Sequence, residues 1–437
     1  MNHLALVIPG LKRIGGAERQ VLLLANGFRR RGWRVTVVCL SGGRGVYEGS
    51  GENVAQNIAE NVAECADNNI AECADNNVAG DLAENIAGQL TVAAEIEFVY
   101  LGMRHGLKDP FGWIRSIAWF RKNRPDVVHA HLPHAAWLAR WSRLLAPVRV
   151  MVDTIHSTGT GGPIRRLAYW ASARLPDAVT AVSRSAAEAW KAAGMVCGAT
   201  LRVTPNGVPI DDAPPTAAER IASRQEHQTE LGLGELEPGT ELGLGAGAHF
   251  LWLAAGRLER VKDYPTLLKA FAGLPHAAEL AIAGAGVEEA SLRALARQLE
   301  IADRVHWLGY VSDLRSWMQA ADALVLSSLW EGLPLALLDA AAAGLPMVAT
   351  DAPGVRDAIA EDCAAWLSPV GDAAALSSSM LRLMSRSTEE RRAMGDRAFA
   401  FVEECFGLES VIDRWEAFFG ELLAANPAPR RWGRWGR

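Results

Sequence analysis

The sequence predicts an α/β protein with two doubly wound, Rossmann-like domains, each built on a parallel sheet. The chain has 437 residues, which is more than one ordinary hydrophobic core holds. Short β-branched runs alternate with helical patterns, as in parallel sheets covered by helices on both faces. The alternation stops and restarts at about residue 249, which indicates two domains that face each other across a cleft.

The first domain is predicted to span residues 1–212. Its first strand, Leu4–Ile8, precedes a helical pattern near Ala17–Arg31. The later strand-like segments are Arg34–Leu40, Val127–Ala130, Val148–Ile155, Ala178–Ala181 and Leu201–Thr204. Because helix-like segments separate these runs, their sheet is expected to be parallel.

An acidic insertion, residues 48–95, interrupts the first domain. Between Asn53 and Leu90 the sequence repeats with a period of eight, and apolar residues recur every four positions. That spacing drifts around a straight helix, so no single apolar stripe forms. The segment from Glu48 to Glu97 has 11 acidic residues and no Lys or Arg. A solvated insertion is the preferred interpretation, and a partner-binding helix is the alternative.

The second domain is predicted to span residues 250–405, after a linker at 213–249 that contains a short TELGLG repeat. Its strands are expected at Phe250–Ala254, Glu279–Ala283, Val305–Leu308, Ala323–Leu326 and Met347–Thr350. Residues 406–426 follow, and they include the amphipathic helix Leu408–Leu423. Residues 427–437 form a basic Arg/Trp tail that we expect to be disordered.

The composition indicates a protein of the cytoplasm. Its six cysteines form no Cys-x-x-Cys pair, so we expect reduced thiols and no zinc site. The net charge of −6 suggests no nucleic-acid partner. An uninterrupted apolar stretch of spanning length does not occur in the sequence, so any membrane contact is expected to be peripheral.

The first domain is nevertheless basic. Residues 99–210 contain 15 Lys and Arg against five Asp and Glu. Within them, Pro110–Arg124 mixes aromatic residues with cations, a pattern that suits a helix lying on the anionic inner surface of a membrane. The alternative is that its aromatic residues belong to the core and its cations face solvent.

Gly15 and Gly16 lie between the first strand and the first helix. Adjacent glycines let the backbone approach a phosphate, and a helix N-terminus favours negative charge. They are not part of a Gly-x-Gly-x-x-Gly sequence, which disfavours a dinucleotide-binding fold of the dehydrogenase type. A simple tight turn is the alternative.

Arg257 and Lys262 follow the first strand of the second domain. A guanidinium and an ammonium group at the carboxyl end of a strand suit a diphosphate, because they neutralise the charge that develops as a sugar–phosphate bond breaks. The alternative is a solvated pair of charges at the start of a helix.

Glu331, Gly332 and Leu333 follow the strand Ala323–Leu326. Glu331 is expected at the N-terminus of the next helix, where it would point into the cleft. Asp339 lies further along in an apolar run, so we expect a buried carboxylate that binds both hydroxyls of a ribose. The alternative is that Glu331 interacts with the helix dipole and Asp339 is a surface charge.

Three histidines lie at strand ends: His129 and His131 on one strand, and His156 after the next. They are candidates to bind a sugar or an acceptor. His129 and His131 face the same side of their strand, so one could be functional and the other a core group. The sequence has no Asp-x-Asp, so we expect neither a metal nor another cofactor.

Together these motifs resemble the retaining glycosyltransferases of family 4, which have the GT-B fold. The resemblance runs from Leu4 to about Phe406, apart from the two repeat segments. It rests on GGAER, DVVHAH, the strand ending in His156, PNGVP, GRLERVKD, AGAG, WLGYVSDL and WEGLPLALLDAAAAGLP. Each motif alone is modest, but their order and spacing make coincidence improbable.

The resemblance implies a role for each candidate residue. In the donor domain, Arg257 and Lys262 would bind the donor diphosphate, Glu331 the transferred sugar, and Asp339 the ribose. Gly332 and Leu333 would also belong to the donor-binding site. The nucleotide base would lie against Gly309, Tyr310 and Val311. In the acceptor-side domain, Gly15 and Gly16 would approach the phosphates, and His131 would lie beside the sugar. His129, His156 and Asn206 are further candidates for sugar or acceptor contact.

The implied activity is transfer of a hexose-type sugar from UDP- or GDP-sugar to a lipid-linked or saccharide acceptor. The helix Leu408–Leu423 would return to the first domain. One departure from the family pattern is Asp339, where a Glu is usual; its side chain is shorter by one C–C bond, about 1.5 Å. A non-hydrolysing sugar-nucleotide epimerase and a catalytically degenerate sugar-nucleotide-binding scaffold are the alternatives. A nicotinamide oxidoreductase is disfavoured because neither glycine cluster fits.

Overall fold

The structure, a computed structural model, describes residues 1–11, 15–41, 96–103, 108–196, 200–231, 249–311, 313–361 and 366–427. The chain divides into two compact units. Unit 1 is Met1–Gly207 together with the segment from Leu408 onward, and unit 2 is Val208–Gly407. Each unit contains a parallel sheet, which confirms the predicted fold class.

In unit 1, the described residues form a seven-stranded sheet of order β3-β2-β1-β4-β5-β6-β7. The strands are β1 His3–Ile8, β2 Arg34–Cys39, β3 Glu97–Tyr100, β4 Val127–His131, β5 Val150–Ile155, β6 Ala178–Ala181 and β7 Thr200–Val203. The sequence analysis missed β3, which has four residues and directly follows the acidic insertion. It pairs with β2, and Phe98 is fully buried.

Helices cover both faces of this sheet. They are α1 Gly16–Arg30, α2 Pro110–Asn123, α3 Pro133–Ser142, α4 Pro163–Ala171 and α5 Arg184–Ala192. Alternate residues of β1 enter different cores: Leu4 and Leu6 pack with α1, whereas Ala5 and Val7 pack in a cluster that includes residues of α2, α3, α4 and α5. The period of two along the strand therefore assigns its residues to two apolar layers.

Unit 2 has a six-stranded sheet of order β10-β9-β8-β11-β12-β13 among its described residues. The strands are β8 Phe250–Ala255, β9 Ala278–Ala283, β10 Val305–Gly309, β11 Ala323–Leu326, β12 Met347–Thr350 and β13 Leu367–Ser368. The five predicted strands of this domain are confirmed. The two-residue strand β13 was not predicted, because a segment that short carries no periodicity.

The helices of unit 2 are α6 Ala217–Leu231, α7 Tyr264–Ala272, α8 Glu289–Gln298, α9 Leu314–Ala320, α10 Leu335–Ala342, α11 Ala373–Met384 and α12 Thr388–Phe406. The interpretation of residues 213–249 as a linker is wrong for α6, which packs against α9. The Arg224 side chain is buried there and donates to the carbonyl of Ala320 at 2.9 Å. Burial of this guanidinium beside Asp322 ties α6 to unit 2.

The last helix, α13 Leu408–Ala425, belongs to unit 1. Its Ile412 and Phe419 are fully buried in the core that contains α1. Arg31, after α1, forms ion pairs with Glu409, Asp413 and Glu416 of α13. The amphipathic pattern thus predicted a helix whose apolar face completes the first unit.

Several predicted features lie outside the described residues. These are the whole insertion at 48–95, the TELGLG repeat and the tail beyond residue 427. Among the residues that the structure does describe, no helix combines the length and apolar character needed to cross a membrane.

Candidate active site

The site in unit 2 lies where the order of its sheet reverses. From β8 the chain continues outward through β9 and β10, and it then returns to β11 on the other side of β8. In open α/β sheets, the carboxyl ends of two such strands form the usual ligand-binding crevice. Arg257 and Lys262 follow β8, and Glu331 follows β11. The topology therefore brings these predicted site residues to one edge of the sheet.

Lys262 and Glu331 form an ion pair at this edge. The Nζ of Lys262 lies 2.6 Å from Oε1 of Glu331, and the two side chains are 16% and 13% exposed. Ser328 donates from its hydroxyl to the same carboxylate oxygen at 2.6 Å. Two charged groups are thus held side by side, mostly out of solvent, in a fixed orientation.

Backbone-directed hydrogen bonds fix the loops that carry this pair. Ser327 donates from its hydroxyl to the carbonyl of Lys262 at 2.7 Å, and the Leu329 amide donates to Val261 at 2.8 Å. Thr350, at the end of β12, donates to the carbonyl of Ser328 at 2.7 Å. The sequence analysis missed Ser327, Ser328 and Thr350, because their roles depend on which strand ends are adjacent.

Gly354 approaches the backbone of Glu331 closely. Its φ is +89°, and a Cβ at this position would lie 2.6 Å from the carbonyl oxygen of Glu331. The Glu331 amide also donates to Pro353 at 2.8 Å. A residue with a side chain therefore does not fit at position 354 unless the Glu331 loop shifts.

We predict that Gly354→Ala lowers the rate of sugar transfer, because a displacement of about 1 Å at a reacting group costs on the order of 10²-fold. The matched control is Gly371→Ala: Gly371 also has a positive φ, of +75°, but its Cβ would meet open space. Both variants carry similar backbone strain, and only Gly354→Ala is expected to reduce kcat. Equal activities of the two variants, compared at equal thermal stability, would contradict this role of Gly354.

Arg257 and Asp339 are the two other charged residues that the sequence predicts at this site. The Arg257 side chain is 66% exposed and pairs with Glu259 at 2.8 Å. Asp339 lies on α10 and is half-buried, not buried as expected; the buried residues of this helix are its sequence neighbours Leu337, Leu338, Ala340 and Ala341. Contact of either residue with a donor stays a prediction.

The other predicted donor contacts of unit 2 lie near the same strand ends. Gly309 ends β10, has a φ of +65°, and accepts from the Gly284 amide at 2.6 Å. Tyr310 is 46% exposed, and Val311 is half-buried. Gly332 and Leu333 are buried. This arrangement leaves Tyr310 as the accessible side chain of the segment expected to border the base.

In unit 1, the order of the sheet reverses between β1 and β4. Gly15 caps α1 and Gly16 is its first residue, so both lie at this switch point. The Gly15 amide donates to the Glu18 carboxylate at 3.1 Å. This capping interaction is consistent with the alternative interpretation, in which the glycines only form a tight turn at the start of the helix. Contact of these glycines with a phosphate stays a prediction.

His129 lies inside the core of unit 1. Its ring is fully buried and packs against Trp415 of α13 in a tilted arrangement, with 4.4 Å between centroids. Its Nε2 lies 2.6 Å from the Thr154 hydroxyl, which lies 2.7 Å from that of Thr180. Thr180 donates onward to the carbonyl of Asp153, so Thr154 donates to Thr180 and accepts from His129 Nε2–H. This geometry favours the core alternative for His129.

His131 and His156 form a separate contact, with 2.9 Å between Nδ1 of His131 and Nε2 of His156. The Nε2 atom of His131 is buried and lacks a hydrogen-bond partner among the described residues. Burial lowers the pKa of His129 to about 3 and that of His156 to about 4. Burial and the two neighbouring imidazoles also lower the pKa of His131. The cluster is therefore neutral near pH 7, and it suits hydrogen bonding to hydroxyls.

Asn206 is buried, and the backbone of the next residue, Gly207, is held by two hydrogen bonds. Gln20 of α1 donates to the carbonyl of Gly207 at 2.6 Å and accepts from its amide at 3.0 Å. Gln20 could not be predicted from the sequence, because it lies 187 residues away from its partner. In the described part of the chain, no group of three or more His, Cys, Asp or Glu residues could hold a metal ion.

Comparison with known proteins identifies the class. A model described as "Glycosyltransferase Family 4" matches residues 14–212, and one described as "Glycosyl transferases group 1" matches residues 247–401. With two parallel-sheet units, these matches define a GT-B glycosyltransferase. The chain belongs to glycosyltransferase family 4.

Relatives and solved structures agree with this class. The chain is 25% identical over 312 residues, 68% of its length and 75% of the relative's, to N-acetyl-alpha-D-glucosaminyl L-malate synthase of Bacillus anthracis. It is 28% identical over 273 residues, 57% of its length and 60% of the relative's, to D-inositol 3-phosphate glycosyltransferase of Xylanimonas cellulosilytica. Its fold matches Anabaena HepE in complex with UDP at a TM-score of 0.72 and 17% identity, covering 96% of this chain and 100% of that one.

Proposed function

We propose that the protein transfers a hexose-type sugar, with retention of configuration, from a UDP- or GDP-sugar to a lipid-linked or saccharide acceptor in the synthesis of a cell-surface glycan. The Lys262–Glu331 pair at the switch point of unit 2 carries this proposal. It presents a cation for a diphosphate and a carboxylate for sugar hydroxyls within one small region, which is the combination that a nucleotide-sugar requires.

The proposed chemistry is electrostatic stabilisation of the departing nucleoside diphosphate. Negative charge grows on the diphosphate as the bond to the sugar breaks. Lys262, with Arg257, would neutralise that charge, while Glu331 would hold the sugar and Asp339 the ribose. The loops that carry Lys262 and Glu331 are already fixed to each other, so little reorganisation accompanies the reaction. No metal is assigned a role in this proposal.

UDP is the first nucleotide to test. Solved structures of similar fold include HepE in complex with UDP-glucose, at a TM-score of 0.72 and 16% identity. The acceptor is less constrained, because the named relatives act on different molecules. A lipid-linked acceptor is proposed on the basis of the basic first domain, which could lie against the anionic inner surface of a membrane.

A donor screen tests the proposal. We expect a UDP- or GDP-sugar at 100 times its Kd to raise the free energy of unfolding by about 2.7 kcal/mol, seen as an increase in Tm. The matching donor should then support transfer only when an acceptor is added. Conversion of the donor sugar without acceptor would instead indicate an epimerase. Donor binding without turnover across a broad acceptor panel would indicate a binding scaffold.

A further inference from the structure

Helix α4 exposes a row of large apolar side chains. Ile164, Leu167 and Trp170 are 85%, 64% and 63% exposed. They are spaced by three residues, so they lie along one side of the helix. Tyr169, on the opposite side, is buried. Helix α4 therefore packs on unit 1 through the side that carries Tyr169, and the exposed row lies on its other side.

The inner side of α4 is firmly attached. The guanidinium of Arg140 lies 4.6 Å from the centre of the Tyr169 ring, and it donates to the Ser172 hydroxyl at 3.1 Å. Arg140 is itself held by a buried ion pair with Asp153, at 2.8 Å. Because these contacts fix the orientation of the helix, the apolar row points outward as a property of the fold.

Charge surrounds this row asymmetrically. Arg165 and Arg166 lie on α4, and neither α2, α3 nor α4 contains an Asp or Glu. On the opposite side of the sheet the arrangement is different: the acidic residues of α13 pair with cations, as Glu409 does with Arg30 and Glu421 with Arg202. The helical layer that contains α4 thus presents cations with one exposed acid, Glu188 of α5, the helix whose Trp190 packs against Tyr169.

Helix α2 contributes a smaller part of the same layer. Its aromatic residues Trp119 and Phe120 are buried in the core, as the alternative interpretation of Pro110–Arg124 proposed. Phe111 and Ile114, in its first two turns, are 68% and 62% exposed. Both α2 and α4 follow strands of the sheet, β3 and β5, so both begin at the carboxyl edge, the edge at which β4 ends with His131.

We propose that the exposed row of α4, together with the first two turns of α2, docks on an anionic lipid bilayer. This inference rests on the proposed function, in which the acceptor is lipid-linked. Apolar and aromatic side chains flanked by arginines, on a helix without acids, are typical of helices that lie in the interface of a bilayer. Docking would bring the carboxyl edge that holds His131 and His156 towards the lipid headgroups.

Vesicle co-sedimentation at low salt tests the docking surface. We expect the full-length protein to bind phosphatidylglycerol-containing vesicles and to bind pure phosphatidylcholine vesicles far less. Arg165→Gln combined with Arg166→Gln should weaken anionic binding about 30-fold, since each well-placed cation contributes about 1 kcal/mol. The triple variant Ile164→Ser, Leu167→Ser, Trp170→Ser should abolish measurable binding. The matched control, Val287→Ser, removes an apolar side chain that is 91% exposed on unit 2, and it should bind like the wild type.

Several outcomes would overturn the docking surface: equal binding to both vesicle types, no binding at low salt, or wild-type binding by the triple variant. The alternative is that the row binds a second copy of the chain, and light scattering tests this. If the wild type does not bind vesicles but forms a concentration-dependent dimer, and the triple variant does not dimerise, the row is a protein interface. Donor-induced Tm shifts and transfer to a water-soluble acceptor are measured on the same variants. The docking variants should give the same Tm shift and the same transfer rate as the wild type. If the wild type itself shows neither the Tm shift nor transfer, the proposed function is contradicted, whatever the vesicle binding.

Discussion

Glu331→Gln is expected to lower kcat for sugar transfer by about 10²–10³-fold, the usual effect of removing one preorganised charged group from an active site. Glutamine preserves the shape of the side chain and can still accept from Ser328, which donates at 2.6 Å to the glutamate. It cannot supply the negative charge that lies 2.6 Å from the Lys262 ammonium. The loss should therefore appear in the rate, measured by product formation at saturating donor and acceptor.

The matched control for this variant is Glu421→Gln. Glu421 also forms an ion pair, with Arg202 at 3.0 Å, but it lies on α13 in unit 1 and not at the sheet edge of unit 2. The control should retain wild-type activity. Near-wild-type turnover by Glu331→Gln, with an unchanged Tm, would remove Glu331 from the active site and leave the Lys262 pair as a purely structural contact.

Acidification is expected to destabilise the protein through His129, His131 and His156, whose pKa values are lowered in the folded protein. An unfolded histidine titrates near pH 6.5, whereas folded His129 and His156 have pKa values of about 3 and about 4. Below about pH 6.5 the unfolded chain therefore binds more protons than the folded chain, and stability falls as the pH falls. Between about pH 7.5 and about pH 5, each of these two residues should cost about 2 kcal/mol. His131, whose pKa is also lowered, acts in the same direction.

Denaturant unfolding of the wild type and of His156→Gln, at a series of pH values, measures this effect. Carboxylates contribute to the pH dependence of both proteins, so the difference between the two curves isolates position 156. The curves should run parallel above about pH 7, and the variant should lose about 2 kcal/mol less than the wild type by about pH 5. Identical pH dependence in both proteins would mean that His156 is solvated and titrates as it does in the unfolded chain.

Local patterns in the sequence were enough to predict the two-sheet α/β architecture. Short apolar runs such as Phe250–Ala254 and Ala323–Leu326 became central strands of the sheet. Motif residues that follow a strand necessarily fall at its carboxyl edge, so the location of Arg257, Lys262 and Glu331 could be predicted as well. Strand β3 could not be predicted in this way: it is as long as β11, but it begins at Glu97, the end of the acidic segment that was interpreted as a solvated insertion.

What the sequence determined by itself is the order of strands and helices, the family and the strand ends at which the motif residues lie, since all of these depend on neighbours in the chain. Only the tertiary structure decided which side chains meet. Lys262 contacts Glu331, which is 69 residues away in the chain. Position 354 requires glycine because the loop that contains it passes close to the Glu331 carbonyl. The outward row of α4 was likewise invisible in the sequence, because burial depends on which side of a helix finds a neighbour.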